Sequence, residues 1–314
     1  MKAGWMRTIT CYLRFFIIAV VVWDGAHHPA RAHTPARPSQ PGWQLSAAAT
    51  PWFQGTASVG RGGSFRTVGV ILRGSVDGPI GDRQRAGLTI SYDYTAYDFS
   101  SPGVLGQAKP WTDVQHLGVG PMLLLLGPAP WSFLVHPSVD FFLEEGADWG
   151  KSLIYGGVLG VSRNFGPDRR IGLGVSVFYR LEQVSVIPFP FVDWRLTDRL
   201  RLVNPLQAGP TGGAGLELAF EPGERFTLGG GAAYRSIRFR LRGDGPFPSG
   251  IGEQHAFLAF AHAGVRLGRI FTVDGYAGAL LDGALLVEDS GGHRISERSF
   301  DPAPLVGATV TGRF

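Results

Sequence analysis

Cysteine is all but missing from this chain: Cys11 is the only one among 314 residues. Lysine is nearly as scarce, with Lys2, Lys109 and Lys151 against 26 arginines. No apolar run exceeds the nine residues Phe15 to Trp23, whereas a spanning helix needs about 20. These absences exclude a disulfide-stapled scaffold and a helical membrane protein. They leave a fold held by backbone pairing and packing.

The first residues set the compartment. Lys2, Arg7 and Arg14 precede the apolar run, and Ala30-Arg31-Ala32 follows it. A basic start, a short apolar stretch and a small-x-small site are the signature of a cleaved secretory signal, so residues 1–32 are expected to be removed. Cys11 leaves with them, and because it precedes the apolar run it does not mark a lipoprotein. Setting aside Lys2, Arg7, Arg14, Arg31 and Asp24 leaves 25 basic against 24 acidic residues, a net of +1. That balance argues against a nucleic-acid partner. Residues 33–42, HTPARPSQPG, form a Pro-rich tail.

From Trp43 onward the chain reads as strands. Ala86, Leu88, Ile90, Tyr92 and Tyr94 alternate with Thr89, Ser91 and Asp93. The same period of two recurs at Val135, Pro137, Val139 and Phe141 against His136, Ser138 and Asp140. It returns at Ile171, Leu173, Val175 and Val177 against Gly172, Gly174 and Ser176, and at Ile237, Phe239 and Leu241 against Arg238, Arg240 and Arg242. One apolar and one polar face is the half-buried strand pattern. A soluble sandwich and a membrane barrel both use it, so alternation alone leaves the two open.

Connection lengths separate them. Short turns at 77–84, 127–130, 166–169, 197–199, 221–224 and 268–269 alternate with longer Gly- and Pro-rich connections near 51–63, 100–112, 144–151, 182–188, 205–211, 242–252 and 287–298. Short turns at one end and long loops at the other are the rule for outer-membrane barrels. The spacing predicts an all-β fold, a closed antiparallel transmembrane β-barrel over 43–314, with 14 strands or alternatively 12 and both termini periplasmic. Pro188, Pro190, Pro205 and Pro210 interrupt the pattern between 181 and 225. Leu88, Val175, Phe239 and Val310 are expected to face lipid.

The chain ends PLVGATVTGRF, with Val306, Ala308, Val310, Gly312 and Phe314 on one face. This resembles the last strand of bacterial outer-membrane β-barrels, porin-like and poorly characterised. The resemblance implies that Phe314 is an assembly signal read by the barrel-assembly machinery, that outer-membrane lipid is the solvent of the apolar face, and that the location is the outer membrane of a Gram-negative bacterium. Trp43, Trp111, Trp131, Trp149 and Trp194 fall at or beside strand ends, where interfacial rings belong.

Candidates for chemistry are few. WGKS at 149–152 lacks the glycine a phosphate loop needs and precedes a strand. The histidines after the leader show no metal spacing, and no cofactor is implied. His136 and Ser138, two apart on a strand, share a face, and the pair resembles the His-x-Ser arrangement of outer-membrane lipid hydrolases. Here both fall on the inward face with Asp140, so a lumen-lining pair is the simpler reading. Arg238, Arg240 and Arg242, with Arg195, Asp193, Asp93 and Asp140, are expected to form inward charge rows. The functions these features fit are a passive or gated pore for small solutes, a closed barrel acting as an anchor or surface-interaction protein, and a lipid-hydrolysing barrel enzyme using His136 and Ser138.

Overall fold

A computed structural model describes residues 42–60, 62–100, 105, 109–212 and 214–314. The leader and the Pro-rich tail to residue 41 lie outside the described residues, so cleavage after Ala32 is untouched by it. The strands are β1 (Gln44–Ser58), β2 (Ser64–Gly81), β3 (Gln84–Ser100), β4 (Val114–Leu126), β5 (Trp131–Glu144), β6 (Leu153–Asn164), β7 (Arg169–Arg180) and β8 (Val184–Arg195), followed by β9 (Leu200–Val203), β10 (Gly215–Phe220), β11 (Phe226–Arg240), β12 (Ile251–Leu267), β13 (Phe271–Glu288), β14 (Arg294–Phe300) and β15 (Ala303–Arg313).

Each strand from β1 to β13 pairs antiparallel with the next, and β15 returns to β1 from Ser46↔Arg313 to Gln54↔Leu305. β14 and β15 follow one another along β13, on Gly283–Glu288 and Phe271–Leu280 respectively. They are one wall strand broken at Asp301-Pro302. The sheet is therefore a closed barrel with fourteen wall positions. Closure leaves no edge at the seam, where Leu45 N donates to Phe314 O (3.1 Å) and Phe314 N to Leu45 O (2.8 Å).

The outer face is apolar. Leu88, Ile90, Leu117, Val119, Leu159, Leu173, Val177, Val306 and Val310 are all exposed, Leu173 by 60%. A sandwich would have buried this set in a shared core; contiguous exposure on this scale belongs to a lipid-facing belt. β1 begins and β15 ends at the end with the short connections, called here the turn end; the opposite end is the loop end.

Several strands are taller than the sequence suggests. The connection expected over 51–63 is strand to Ser58, and the one over 182–188 shrinks to 181–183. Strands of 15 to 18 residues exceed the 9 to 11 or so that cross a bilayer, so the barrel projects beyond it at the loop end. There the strands bend inward. β11 and β5 are separated along the wall by β6 to β10, yet Arg240 pairs in parallel with Leu143. That bridge requires the tip of β11 to lean across the mouth.

The lean inverts the meaning of the alternating pattern. Phe239, expected to face lipid, is fully buried, with its ring 5.4 Å from Trp111. Trp111 is likewise no interfacial marker but 1% exposed, packed edge-on to Tyr97 and Phe99. Phe65, Leu258, Leu285, Val287 and Phe300 complete this aromatic cap. On the other face of the same tips, Ile251 packs with Ile154, Leu181, Phe142 and Phe178. Each large side chain removed from water stabilises this closure by about 1.5 to 3 kcal/mol.

The wall has one break. β9 and β10 span only four and six residues, so β8 is paired on that side only at Asp193–Arg195. Asn204 closes the gap just above, its carboxamide oxygen accepting from Val192 N (3.0 Å) and its Nδ2 donating to Gly215 O (3.0 Å). Beyond it, residues 184–190 have no strand partner on the free side among the described residues. Pro188 and Pro190 share the phase of Val192, so their missing N–H groups fall on that free edge, the position a strand proline tolerates. The four prolines that obscure the strand pattern thus mark the break and the segment beyond it.

Candidate functional site: a lumen sealed at one end

The 204–214 connection does not extend outward but enters the barrel. Thr50 Oγ1 donates to Ala208 O (2.6 Å) and lies 2.8 Å from Thr309 Oγ1, while Arg235 Nη1 donates to Pro210 O (3.4 Å). Arg235 in turn stacks 4.0 Å over the Trp52 ring. A Cβ at Gly307 would lie 3.0 Å from the Pro210 ring, so this segment packs closely against β15 there.

What remains open is a cavity of about 440 Å³. Its wall runs from Ser46, Asp77, Arg85 and Arg313 at the turn end, past His116, His136, Ser138 and Asp140, to Phe178 and Arg180 near the mouth. Ser185 and Ile187 on β8 and Ser236 on β11 also border it, so the cavity reaches between the two strands flanking the break. Irregular backbone at membrane depth is tolerated where it lines such a space.

Charges on the inner wall are paired. His116 places Nδ1 3.0 Å from Asp93 Oδ2 and Nε2 2.9 Å from Asp140 Oδ1, and Arg73 grips the same Asp93. His262 repeats the motif with Glu217 (2.8 Å) and Asp274 (2.9 Å). An imidazole facing a carboxylate from each nitrogen satisfies both only as an imidazolium donating twice. Glycines make room: a Cβ at Gly118 would strike Asp140, one at Gly264 would strike Asp274, and one at Gly229 would strike Glu217. No sequence spacing announces these clusters, since Glu217 and His262 are 45 residues apart. A glycine paired across strands with Asp140 (Gly118) and with Asp274 (Gly264) is the one local trace.

The remaining expected site residues are dispersed. Asp193 pairs with Arg201 (2.7 Å) and Arg195 lies 3.6 Å from Asp168, so Asp193 and Arg195 are not partners of each other. The arginine row expected in the lumen is instead a buried brace. Arg238 is 1% exposed and donates to Glu288 (2.5 Å), Glu253 (3.2 Å) and Leu181 O (3.1 Å). Arg240 donates to Glu182 (2.8 Å) and Lys151 O (2.9 Å). Arg242 lies past the strand, 3.4 Å from Asp244.

Leu181 and Glu182 form the β7–β8 turn with φ of 48° and 69°, a left-handed pair unusual without glycine. The burial of Leu181 and the Arg240 contact to Glu182 hold it there. That hydrogen bond from Arg240 also keeps the Glu182 carboxyl below its usual range. A lowered folded-state value contributes stability above the ordinary 4.5 and loses it as the pH falls through the lower folded value. Acidification below about pH 4 is expected to loosen the mouth, read as more frequent channel opening; Glu182→Gln should remove that pH dependence.

His136 and Ser138 do point inward together, but with separate partners. Ser138 Oγ donates to Asp140 (2.8 Å). Thr89 donates to Gly120 O (3.0 Å), which leaves His136 Nε2 (3.1 Å) to donate to the Thr89 hydroxyl. The serine–imidazole contact that activates a nucleophile is not made.

A barrel of this height, with an apolar belt outside and a polar wall of paired charges inside, has counterparts of known structure. It superposes on the COG4313 outer membrane channel from Pseudomonas putida F1 with a TM-score of 0.50 at 10% identity, over 89% of this chain and 98% of that one. The fold is that of an outer-membrane β-barrel. The toluene transporter TodX of Pseudomonas putida matches at 0.42 and 11% identity over 94% of both chains. The KdgM porin in complex with disordered oligogalacturonate matches at 0.35 and 8%, over 84% of this chain and 97% of that one. No protein-family model and no curated protein sequence matches.

Proposed function

We propose that the protein is an outer-membrane pore for small solutes, held shut at its loop end by the tips of β11 to β13. The observation that carries this is the lumen cavity, which runs from Asp77, Arg85 and Arg313 at the turn end to Phe142, Ile154, Phe178 and Arg180 near the mouth. A barrel serving only as an anchor has no need of a hydrated interior faced by Arg73, His116, His136 and Asp140. Charges held in pairs on the wall give a path with alternating sign, which suits passage better than capture. Ser138 and His136, each bonded to a separate partner, favour transport over hydrolysis. The short connections support a periplasmic turn end, with the loop end outside. Phe314 at the seam supports delivery by the barrel-assembly machinery.

The test is single-channel recording in planar bilayers. Rare openings that become frequent when the tip brace is removed support the pore; silence in both the parent and the brace variant would leave the anchor reading.

The break beside β8 favours a second route, for apolar solutes, from the cavity sideways into the lipid belt. Ile187→Trp places a larger ring where the cavity meets the break. It is expected to lower the flux of an apolar solute such as a monoaromatic hydrocarbon into vesicles while leaving ionic conductance unchanged. Equal flux in parent and variant would remove the side route.

A further inference from the structure

Outside the barrel, at the turn end of β5 to β8, five side chains alternate as aromatic and cation. Trp131, Arg163, Phe165, Arg169 and Trp194 are joined by contacts of 5.4, 5.0, 5.1 and 5.5 Å from each guanidinium carbon to the ring beside it. Strand pairing builds the ladder: Trp131 lies opposite Arg163, Arg169 lies opposite Trp194, and Phe165 sits in the turn between. Trp131 and Arg163 continue the outward phase of Phe133 and Leu159, and Arg169 that of Leu173.

Neither arginine enters an ion pair among the described residues, and Asp168, the acid in the same turn, lies instead beside Arg195 (3.6 Å). The rings cover the guanidinium faces, leaving the N–H edges free. Two unpaired cations directly below an apolar belt require an anion that also brings hydrocarbon. We propose that this ladder binds the headgroup of an anionic phospholipid, with the phosphodiester forked by Arg163 and Arg169 and the acyl chains lying along Phe133, Leu159 and Leu173. A free phosphate would use only the charges. Assignment to the inner, phospholipid leaflet rests on the periplasmic placement of the turn end; the lipid contact itself does not.

The full-length folded barrel, exchanged into detergent with phosphatidylglycerol or phosphatidylcholine, is examined by native mass spectrometry. One phosphatidylglycerol should survive exchange in the parent. In Arg163→Gln/Arg169→Gln its affinity should fall about tenfold, as expected for two exposed charge-assisted contacts. Arg66→Gln removes an outward arginine at the loop end, where Arg66 pairs with Asp98 (2.7 Å), and should retain the lipid. Thermal unfolding of all three proteins in phosphatidylcholine controls for folding. Equal retention by the double variant, equal retention of phosphatidylcholine by the parent, or displacement by millimolar inorganic phosphate would each overturn the site. None of these outcomes depends on whether the barrel conducts. Labelling of a cysteine placed in 241–250 on intact cells tests the leaflet: labelling supports the inner leaflet, and its failure moves the ladder to the other one.

Discussion

Replacing Arg238 with Met is expected to destabilise the barrel by about 3 to 5 kcal/mol and to open its loop end. Arg238 is buried between Glu253 and Glu288 and also holds the carbonyl oxygens of Arg180 and Leu181. Its loss leaves two carboxylates in a poorly hydrated place without their shared guanidinium, and loosens the hold of β11 on the β7–β8 turn. Removing one partner of such a network costs far more than removing all of it, because the residual charge is what the interior cannot hold. The triple variant Arg238→Met/Glu253→Gln/Glu288→Gln should therefore recover most of the lost stability. Two measurements decide it. Unfolding in denaturant should rank parent and triple variant close together with the single variant well below. Bilayer recordings should show the single variant open for most of the time. A single variant as stable and as closed as the parent would show that the aromatic cap alone seals the mouth.

Deleting Phe314 is expected to deplete folded protein from the outer membrane while barely affecting a barrel already formed. The residue supplies the two backbone hydrogen bonds to Leu45 and an edge-on contact with Phe271 at 6.1 Å between ring centres. Each hydrogen bond is worth about 1 kcal/mol net. The ring is 61% exposed to the lipid side, so its packing adds less than full burial would. A ladder that runs from Ser46↔Arg313 to Gln54↔Leu305 survives that loss. Any large defect is then one of delivery: unfolded chain in the periplasm in cells, and near-parental refolding from denaturant into detergent. Val310→Ala, which trims the same outward face of β15, should localise normally. Phe300 cannot serve as that control, because the break at Asp301-Pro302 leaves it buried against Phe65 at 5.1 Å instead of on the lipid side. Equal membrane yields for the deletion and the parent would make the terminal ring incidental.

The wall was legible in the sequence wherever strands stand upright in the bilayer. Leu88, Val177, Val306 and Val310 face out as their alternation requires, and counting turns reaches the fourteen positions found. The reading fails where strands leave the membrane, because period two says which residues share a face and not what that face meets. Phe239 and Arg238 alternate as expected, yet the inward lean of β11 buries both. The truncation of β9 and β10 was visible only as misplaced prolines. The His116 and His262 clusters were invisible, since each gathers acids from nearby strands whose register the spacing does not give: Asp93 on β3 and Asp140 on β5 flank His116, and Glu217 on β10 and Asp274 on β13 meet His262.

The break beside β8 also divides the molecule mechanically. At the turn end every strand is bonded to two others, so the wall is a hoop, and widening it means breaking ladder hydrogen bonds. At the loop end, β9 and β10 are absent and the ring is a cuff, open along one side from Asn204 upward. A cuff changes its girth by flexing, with the backbone ladder intact. Movement of the mouth is therefore resisted by the single Arg240–Leu143 bridge and by side chains: the Arg238 and Arg240 clasps, the Leu181 turn and the aromatic cap. Those are the parts that pH, solute or substitution can reach, while the hoop below keeps the barrel in the membrane.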